Sequence, residues 1–186
     1  IIGSGLISDY LIKKNTKDIF YNRINWRHLK VNTLKNKLEE FNPNKIILLG
    51  FNKKFYLSNI YLTLNLIYTI KLTNYNGKII FMNTHTLASD LYRFENTLST
   101  TYTEYLWVKI IQGFLLRRSI INFYEIFLPP VTTLISKSYK NFTKSDYKLA
   151  NKTFFIDIKD LHSFLINIDK DKNKINRVFP FSGYIK

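Results

Sequence analysis

Two continuous apolar runs, KIILLG at 45–50 and KIIFMNT at 78–84, constrain the fold of this chain more than any other feature. Each has the length of a strand and lacks the apolar/polar alternation of a half-solvated one, so each needs cover on both faces. Between them SNIYLTLNLIYTIKLTN, 58–74, is too long for a strand and is broken by Gly77, which predicts a helix. Strand, helix, strand in that order is the unit of a parallel sheet.

The same alternation extends both ways along the chain. Upstream, IIG passes through Gly3, Ser4 and Gly5 into an amphipathic helix carrying Leu6, Ile7, Tyr10 and Leu11. DIFYNRIN at 18–25 is a short strand candidate, and NTLKNKLEEF at 32–41 is a polar helix stopped by Pro43. Downstream, residues 101–118 read as a helix with an apolar stripe of Leu106, Ile110 and Phe114, flanked by Ile111 and Leu115. INFYEIFLPP, from Ile121, is a further strand closed by Pro129 and Pro130. The expected fold is α/β, a doubly wound parallel sheet whose core spans 1–131. Past Val131 the pattern loosens: 132–152 is polar, basic and rich in Ser and Thr, and FFIDIKDLHSFLINI at 154–168 reads as a strand running into a helix with Asp160 as its cap. RVFPFSGYIK is a last strand or edge segment, so 132–186 is expected to be a reduced C-terminal lobe packed on the core.

Composition narrows the class. With 46% hydrophobic and 16% aromatic residues, 186 residues suffice for one domain with a buried core. The absence of cysteine excludes disulfides and thiolate chemistry and points to a reducing compartment, the cytoplasm or an organelle matrix. His28, His85 and His162 lack metal-ligand spacing, and no apolar run reaches the roughly 20 residues that span a bilayer. The chain opens on Ile with no leader pattern, so a few further residues are expected ahead of it. Its net charge of +15 has two readings: a by-product of AT-rich coding, given the heavy use of Lys, Asn, Ile, Phe and Tyr, or a surface for polyanions such as nucleotide phosphates. Direct nucleic-acid binding ranks last, because neither Arg-rich nor aromatic RNA motifs occur.

Tyr105 and Lys109 stand one helical turn apart on one face. A cation beside a phenol favours the phenolate, which suits tyrosine to proton transfer at a carbonyl. The same spacing fits a half-buried helix face, and both readings stand. The Gly3–Gly5 turn before a helix presents N–H groups and a dipole end suited to a pyrophosphate, or is an ordinary strand-to-helix turn. Gly50, Thr84 and Pro130 also fall at strand ends, where doubly wound sheets bind ligands.

Taken in sequence, these elements resemble the extended short-chain dehydrogenase/reductase family, the NAD-dependent sugar-nucleotide epimerases, dehydratases and reductases, over nearly the whole chain. The resemblance implies a Rossmann-like fold with Gly3, Gly5, Leu6 and Ile7 at the cofactor pyrophosphate. In the family's Gly-x-x-Gly-x-x-Gly pattern Ile2 stands in place of the first glycine and Ser8 in place of the third. Asn22 and Arg23, where an acidic residue holds the ribose in NAD users, imply NADP ahead of NAD. KIILLG is similar to the Leu-Ala-Gly strand, with Gly50 at the adenine side; NIYLTLNLI is similar to the Asn-Val helix, with Asn59 and Asn65 in step; Pro130 matches the Arg-Pro turn, with Phe127 where arginine is common. Thr84 then takes the catalytic Ser or Thr, Tyr105 and Lys109 the Tyr-x-x-x-Lys pair, and Asn59 a water relay behind the lysine. The implied activity is hydride transfer on a nucleotide-sugar by a homodimer. The short C-terminal end also fits a non-catalytic relative packed into a larger assembly, RNA-containing or membrane-associated.

Overall fold

The computed structural model describes residues 1–3, 5–17, 19, 21–52, 54–84, 100–129, 131, 153–168, 177–178, 180 and 183–185. Four parallel strands form the main sheet: β1 (Lys45–Leu48), β2 (Lys78–Thr84), β3 (Phe123–Leu128) and β5 (Arg177–Val178), in the order β1-β2-β3-β5. Ile2 extends it beyond β1 by parallel bridges to Leu48 on one side and Ile24 on the other. This is the doubly wound α/β arrangement that the two apolar runs predict. A separate antiparallel pair joins β4 (Thr153–Phe155) to β6 (Gly183–Ile185).

Alternate residues of each strand face opposite sides, so both faces of an apolar run are buried. Ile46, Leu48, Ile79 and Phe81 pack beneath α2 (Val31–Phe41), α3 (Ser58–Leu72) and α4 (Thr100–Ser119), with Leu34, Leu66 and Leu116 from those helices. Ile47, Ile80 and Met82 pack on the other face with Leu11 of α1 (Leu6–Ile12) and Leu161 and Leu165 of α5 (Ile158–Asn167). Burying each such side chain stabilises the fold by about 1.5–3 kcal/mol.

Local signals set the helix ends. Asn42 adopts a left-handed conformation, φ 38°, and ends α2 just before Pro43. Asp157, rather than Asp160, caps α5: its carboxylate accepts from the Lys159 N–H at 2.8 Å, while Asp160 lies in the first turn, where negative charge meets the positive dipole end. Lys45 and Lys78 are register neighbours of like charge on β1 and β2. Lys45 Nζ donates to the carbonyls of Leu165 and Ile166 at 3.1 and 3.3 Å and Lys78 Nζ to that of Ile168 at 3.5 Å, so both cations sit at the negative end of α5.

The stripe expected on α4 is rotated. Leu106, Val108, Lys109, Gln112 and Leu116 are buried, whereas Trp107, Ile111 and Phe114 are exposed. Apolar residues occur all round this helix, so periodicity alone does not select its inner face. Polar partners inside do: Gln112 Nε2 donates to Thr63 Oγ1 of α3 at 2.9 Å, and Lys109 Nζ to the Met82 carbonyl of β2 at 2.9 Å. No helix among the described residues is long and apolar enough to cross a membrane. The segments 132–152 and 169–176 and His85 lie outside the described residues.

Candidate functional site

The sheet order reverses at Ile2. From there the chain goes one way to Ile24 and, after α2, the other way to β1, which opens a crevice at the carboxyl ends of these strands. The Ile2 carbonyl accepts from both Leu49 N–H and Gly50 N–H at 2.9 Å, and Gly3 N–H donates to the Ile24 carbonyl at 2.8 Å. Ile2 is therefore a buried strand residue, and the turn begins at Gly3; a bulky residue at position 2 does not obstruct it. Gly3 has φ 134°, and a Cβ there would lie 2.5 Å from the Gly50 nitrogen. A Cβ on Gly50 would in turn meet the Trp26 Cβ at 2.3 Å, so the Gly3 and Gly50 backbones and the Trp26 side chain close on one another and only glycine fits both places.

Gly5 precedes α1 and has no atom within 4 Å of where its Cβ would stand. Among the described residues no side chain caps that helix; Leu6 is half-exposed and Ile7 is partly buried. Uncapped N–H groups facing open space suit an anionic group such as a phosphate. Ser8, at the third glycine position, is 1% exposed, and its buried hydroxyl has no hydrogen-bond partner among the described residues.

Arg23 lies before Ile24, below the strand end, and its guanidinium pairs with the Asp9 carboxylate of α1. The residue at the strand end is Asn25, whose Oδ1 accepts from the Arg27 N–H at 3.1 Å and caps the short 3-10 turn Trp26–His28. Arg27 is exposed at that end. A register one or two residues later than the sequence implies accounts for the difference. Pro130 lies outside the described residues.

Around the second half of the crevice, Thr84 ends β2, and Tyr105 and Lys109 lie on α4. The bond from Lys109 Nζ to the Met82 carbonyl fixes the height of α4 against β2. Four residues of helix raise Tyr105 about 6 Å above Lys109, and two residues of strand raise Thr84 about 6.6 Å above Met82. Tyr105 and Thr84 both lie on the crest side of that bond. Lys109 does not: it is 4% exposed, and its ammonium lies over the rings of Phe51 and Phe81, 5.1 and 4.8 Å from their centroids. Burial lowers its pKa to about 7. Phe51 also meets Tyr105 edge-on with ring centroids 4.8 Å apart.

Asn59 is fully buried, and its amide is engaged throughout. Oδ1 accepts from Trp26 Nε1 at 2.8 Å and Asn52 N–H at 2.7 Å, while Nδ2 donates to the carbonyls of Asn52 and Tyr56 at 3.1 and 2.8 Å. It ties the loop after β1 to α3 and to the tryptophan that backs Gly50.

Two contributors escape a reading of motifs. Phe51 is one. The other is Glu125, a carboxylate in the middle of an apolar strand, 1% exposed, accepting from Asn83 Nδ2 and Arg117 Nη2 at 2.7 Å each. Asn83 Oδ1 accepts from the Thr84 N–H at 2.8 Å, so the network reaches the crest residue. A charge in an otherwise apolar run is the signal that marks Glu125 in the sequence.

No protein-family model and no curated protein matches this sequence. Solved structures do. A dTDP-4-dehydrorhamnose reductase from Clostridium acetobutylicum matches with a TM-score of 0.63 and 12% identity over 97% of this chain and 71% of that one. A dTDP-glucose 4,6-dehydratase from Bacillus anthracis, in complex with NAD, matches at 0.63 and 10% over 98% and 65%. A GDP-L-fucose synthetase from Naegleria fowleri bound to NADP matches at 0.56 and 13% over 95% and 72%. At these identities the likeness is one of fold: the chain has the Rossmann-like fold and spans about two thirds to three quarters of each of these proteins.

Proposed function

We propose that this chain is a shortened member of the extended short-chain dehydrogenase/reductase family that binds NAD(P) across its crest and acts on a nucleotide-sugar. The observation that carries the reading is the bond that ties α4 to β2, with Tyr105 one turn and Thr84 two residues toward the crest from it, and with Phe51, next after Gly50, packed on the Tyr105 ring. Support comes also from the similar structures, whose names are those of nucleotide-sugar enzymes and two of which contain NAD or NADP.

The donor set fits the cofactor. Uncapped N–H groups at Leu6 and Ile7, with open space over Gly5, suit the pyrophosphate. Arg27, exposed just past the Ile24 strand end, favours a 2′-phosphate, with Arg23 held by Asp9 beneath it, hence NADP ahead of NAD. Pro130, which follows β3 and Pro129 in the sequence, takes the nicotinamide side. When bound, the nicotinamide supplies or accepts the hydride. Tyr105 gives or takes the hydroxyl proton at its phenol oxygen, Thr84 hydrogen-bonds the substrate oxygen, and Lys109 biases the phenol toward its anion and holds the nicotinamide ribose. Asn59 keeps the loop and Trp26 in place behind Gly50. Within 132–186, α5 and β5 belong to the core, and the rest is left for the substrate side. Tyr105→Phe should lower turnover of a nucleotide-linked keto-sugar with NADPH about 100-fold or more; a variant that turns over at the parent rate removes the mechanism.

One observation favours a second reading. Lys109 is buried against a carbonyl and two rings, which suits a relative that keeps the fold as a structural subunit of a larger assembly.

The proposal extends to a homodimer. Leu57, Tyr61, Leu64, Tyr68 and Leu72 along α3, with Trp107, Ile111 and Phe114 on the adjoining α4, expose a two-helix apolar face. Its area is on the order of the roughly 800 Å² that each partner of a stable complex buries. The α4 stripe also carries Glu104 at one end and Arg118 at the other, so antiparallel pairing about Ile111 brings unlike charges together twice. A second copy of this chain is the occupant that this symmetry fits.

A further inference from the structure

We propose that Phe51 is a positioning residue that closes Lys109 off from the crest and must turn aside before a dinucleotide can reach the amine. The inference rests on the cofactor reading of the crest given above and names how that site opens.

The phenyl ring of Phe51 stands at the meeting of the crest and the interior. Edge-on it meets Tyr105, ring centroids 4.8 Å apart and planes at 76°, and on another side it leans on Tyr56 at 5.7 Å. Lys109 Nζ lies 5.1 Å from its centroid. Below, the amine is enclosed by the Phe81 ring at 4.8 Å and the Met82 carbonyl at 2.9 Å, and among the described residues no carboxylate pairs with it. An amine with 4% exposure cannot touch a ligand, so whatever covers it decides whether it acts.

Of the two rings, only Phe51 can move. Phe81 is wholly buried in the central strand β2. Phe51 is itself partly exposed, with solvent on one side. Its backbone is pinned before and after: Gly50 N–H donates to the Ile2 carbonyl at 2.9 Å, and Asn52 N–H to Asn59 Oδ1 at 2.7 Å, with Asn52 Nδ2 reaching Ser58 Oγ at 3.1 Å. The loop is thus held while the side chain retains its own torsions, and rotation of a partly exposed side chain is fast compared with ligand binding. The aromatic cover keeps the amine dry when the crest is empty and leaves it one turn of helix from Tyr105 when the ring swings out.

The test reads the reactivity of Lys109 directly. The full chain is treated with formaldehyde and a borohydride, and methylation of each lysine is followed by peptide mass spectrometry. In the parent, Lys109 should react far more slowly than exposed Lys54. In Phe51→Ala its rate should rise about tenfold or more, and in Phe51→Leu, which keeps more of the apolar volume, by less; Phe55→Ala, an exposed ring in the same loop, should leave Lys109 slow. Circular dichroism confirms that each variant is folded, and Phe51→Leu carries the test if Phe51→Ala is not. Stopped-flow mixing with NADPH should show faster association in both Phe51 variants than in the parent. Equal Lys109 rates in the parent and the folded Phe51 variants overturn the proposal. Lys109 opening in variants none of which binds NADPH keeps the cover and overturns the dinucleotide reading of the crest instead.

Discussion

Lys109 Nζ donates to the main-chain oxygen of Met82 at 2.9 Å, a bond from the middle of α4 to the middle of β2 across the interior of the protein. It satisfies a buried amine and ties the helix that bears the phenol to the strand that ends at Thr84. The pair that resembles a proton-transfer motif in the sequence is thus first a device for aligning a helix with a sheet.

That burial has a consequence for stability. The Lys109 pKa falls from its ordinary 10.5 to about 7 because the charged form loses its hydration. Between those values the unfolded chain holds a proton that the folded chain has lost, so this residue's contribution makes stability rise with pH, by at most about 1.4 kcal/mol per unit. Below about 7 both states are protonated and the dependence vanishes. The unfolding free energy of the parent minus that of Lys109→Met, from urea titrations, should therefore rise from about pH 7 to about pH 9. A flat difference would show that the amine keeps its ordinary pKa.

Glu125 anchors the strand end that bears Thr84. Its carboxylate takes bonds from Asn83 and Arg117, and removing it leaves the buried Asn83 amide unsatisfied while half-exposed Arg117 turns to solvent. Glu125→Leu should cost about 2–3 kcal/mol in urea unfolding, and Arg117→Met should cost less than the loss of Glu125. Equal and negligible costs would mean that the network does not hold β2 and β3 together.

The exposed face of α3 and α4 gives a test by charge exchange. Glu104→Arg and Arg118→Glu should each weaken self-association by about 1 kcal/mol in sedimentation equilibrium, by placing like charges opposite one another. The double variant should restore it. A parent that sediments as a monomer, or a double variant no better than the singles, contradicts the antiparallel pairing about Ile111.

Much of this fold is legible in the sequence because parallel strands buried on both faces must be apolar throughout. KIILLG and KIIFMNT have no other economical explanation, and β1 and β2 begin where those runs begin. Gly3 and Gly50 are legible too, since tight strand-end turns need glycine. Less is legible on α4: apolar residues surround it, so Ile111 and Phe114 read as core although they are exposed, while Lys109 and Gln112 face inward to polar partners that periodicity does not reveal. The Arg23 reading slips for another reason. Among the described residues of 18–25 only Ile24 bridges to Ile2, and a strand so short has no pattern from which to fix its register. Phe51 carries no motif at all, and its place follows only from the packing of two helices and a loop.

The most direct test of the account is an equilibrium titration of the full chain with NADPH, followed by nucleotide fluorescence, beside the variant Gly5→Glu, which puts a negative charge in the open space over the turn. The account predicts saturable binding at one site per chain, tighter for NADPH than for NADH, and loss of that binding in the variant. Absence of saturable binding of either nucleotide up to millimolar concentration, with the parent folded, would contradict it.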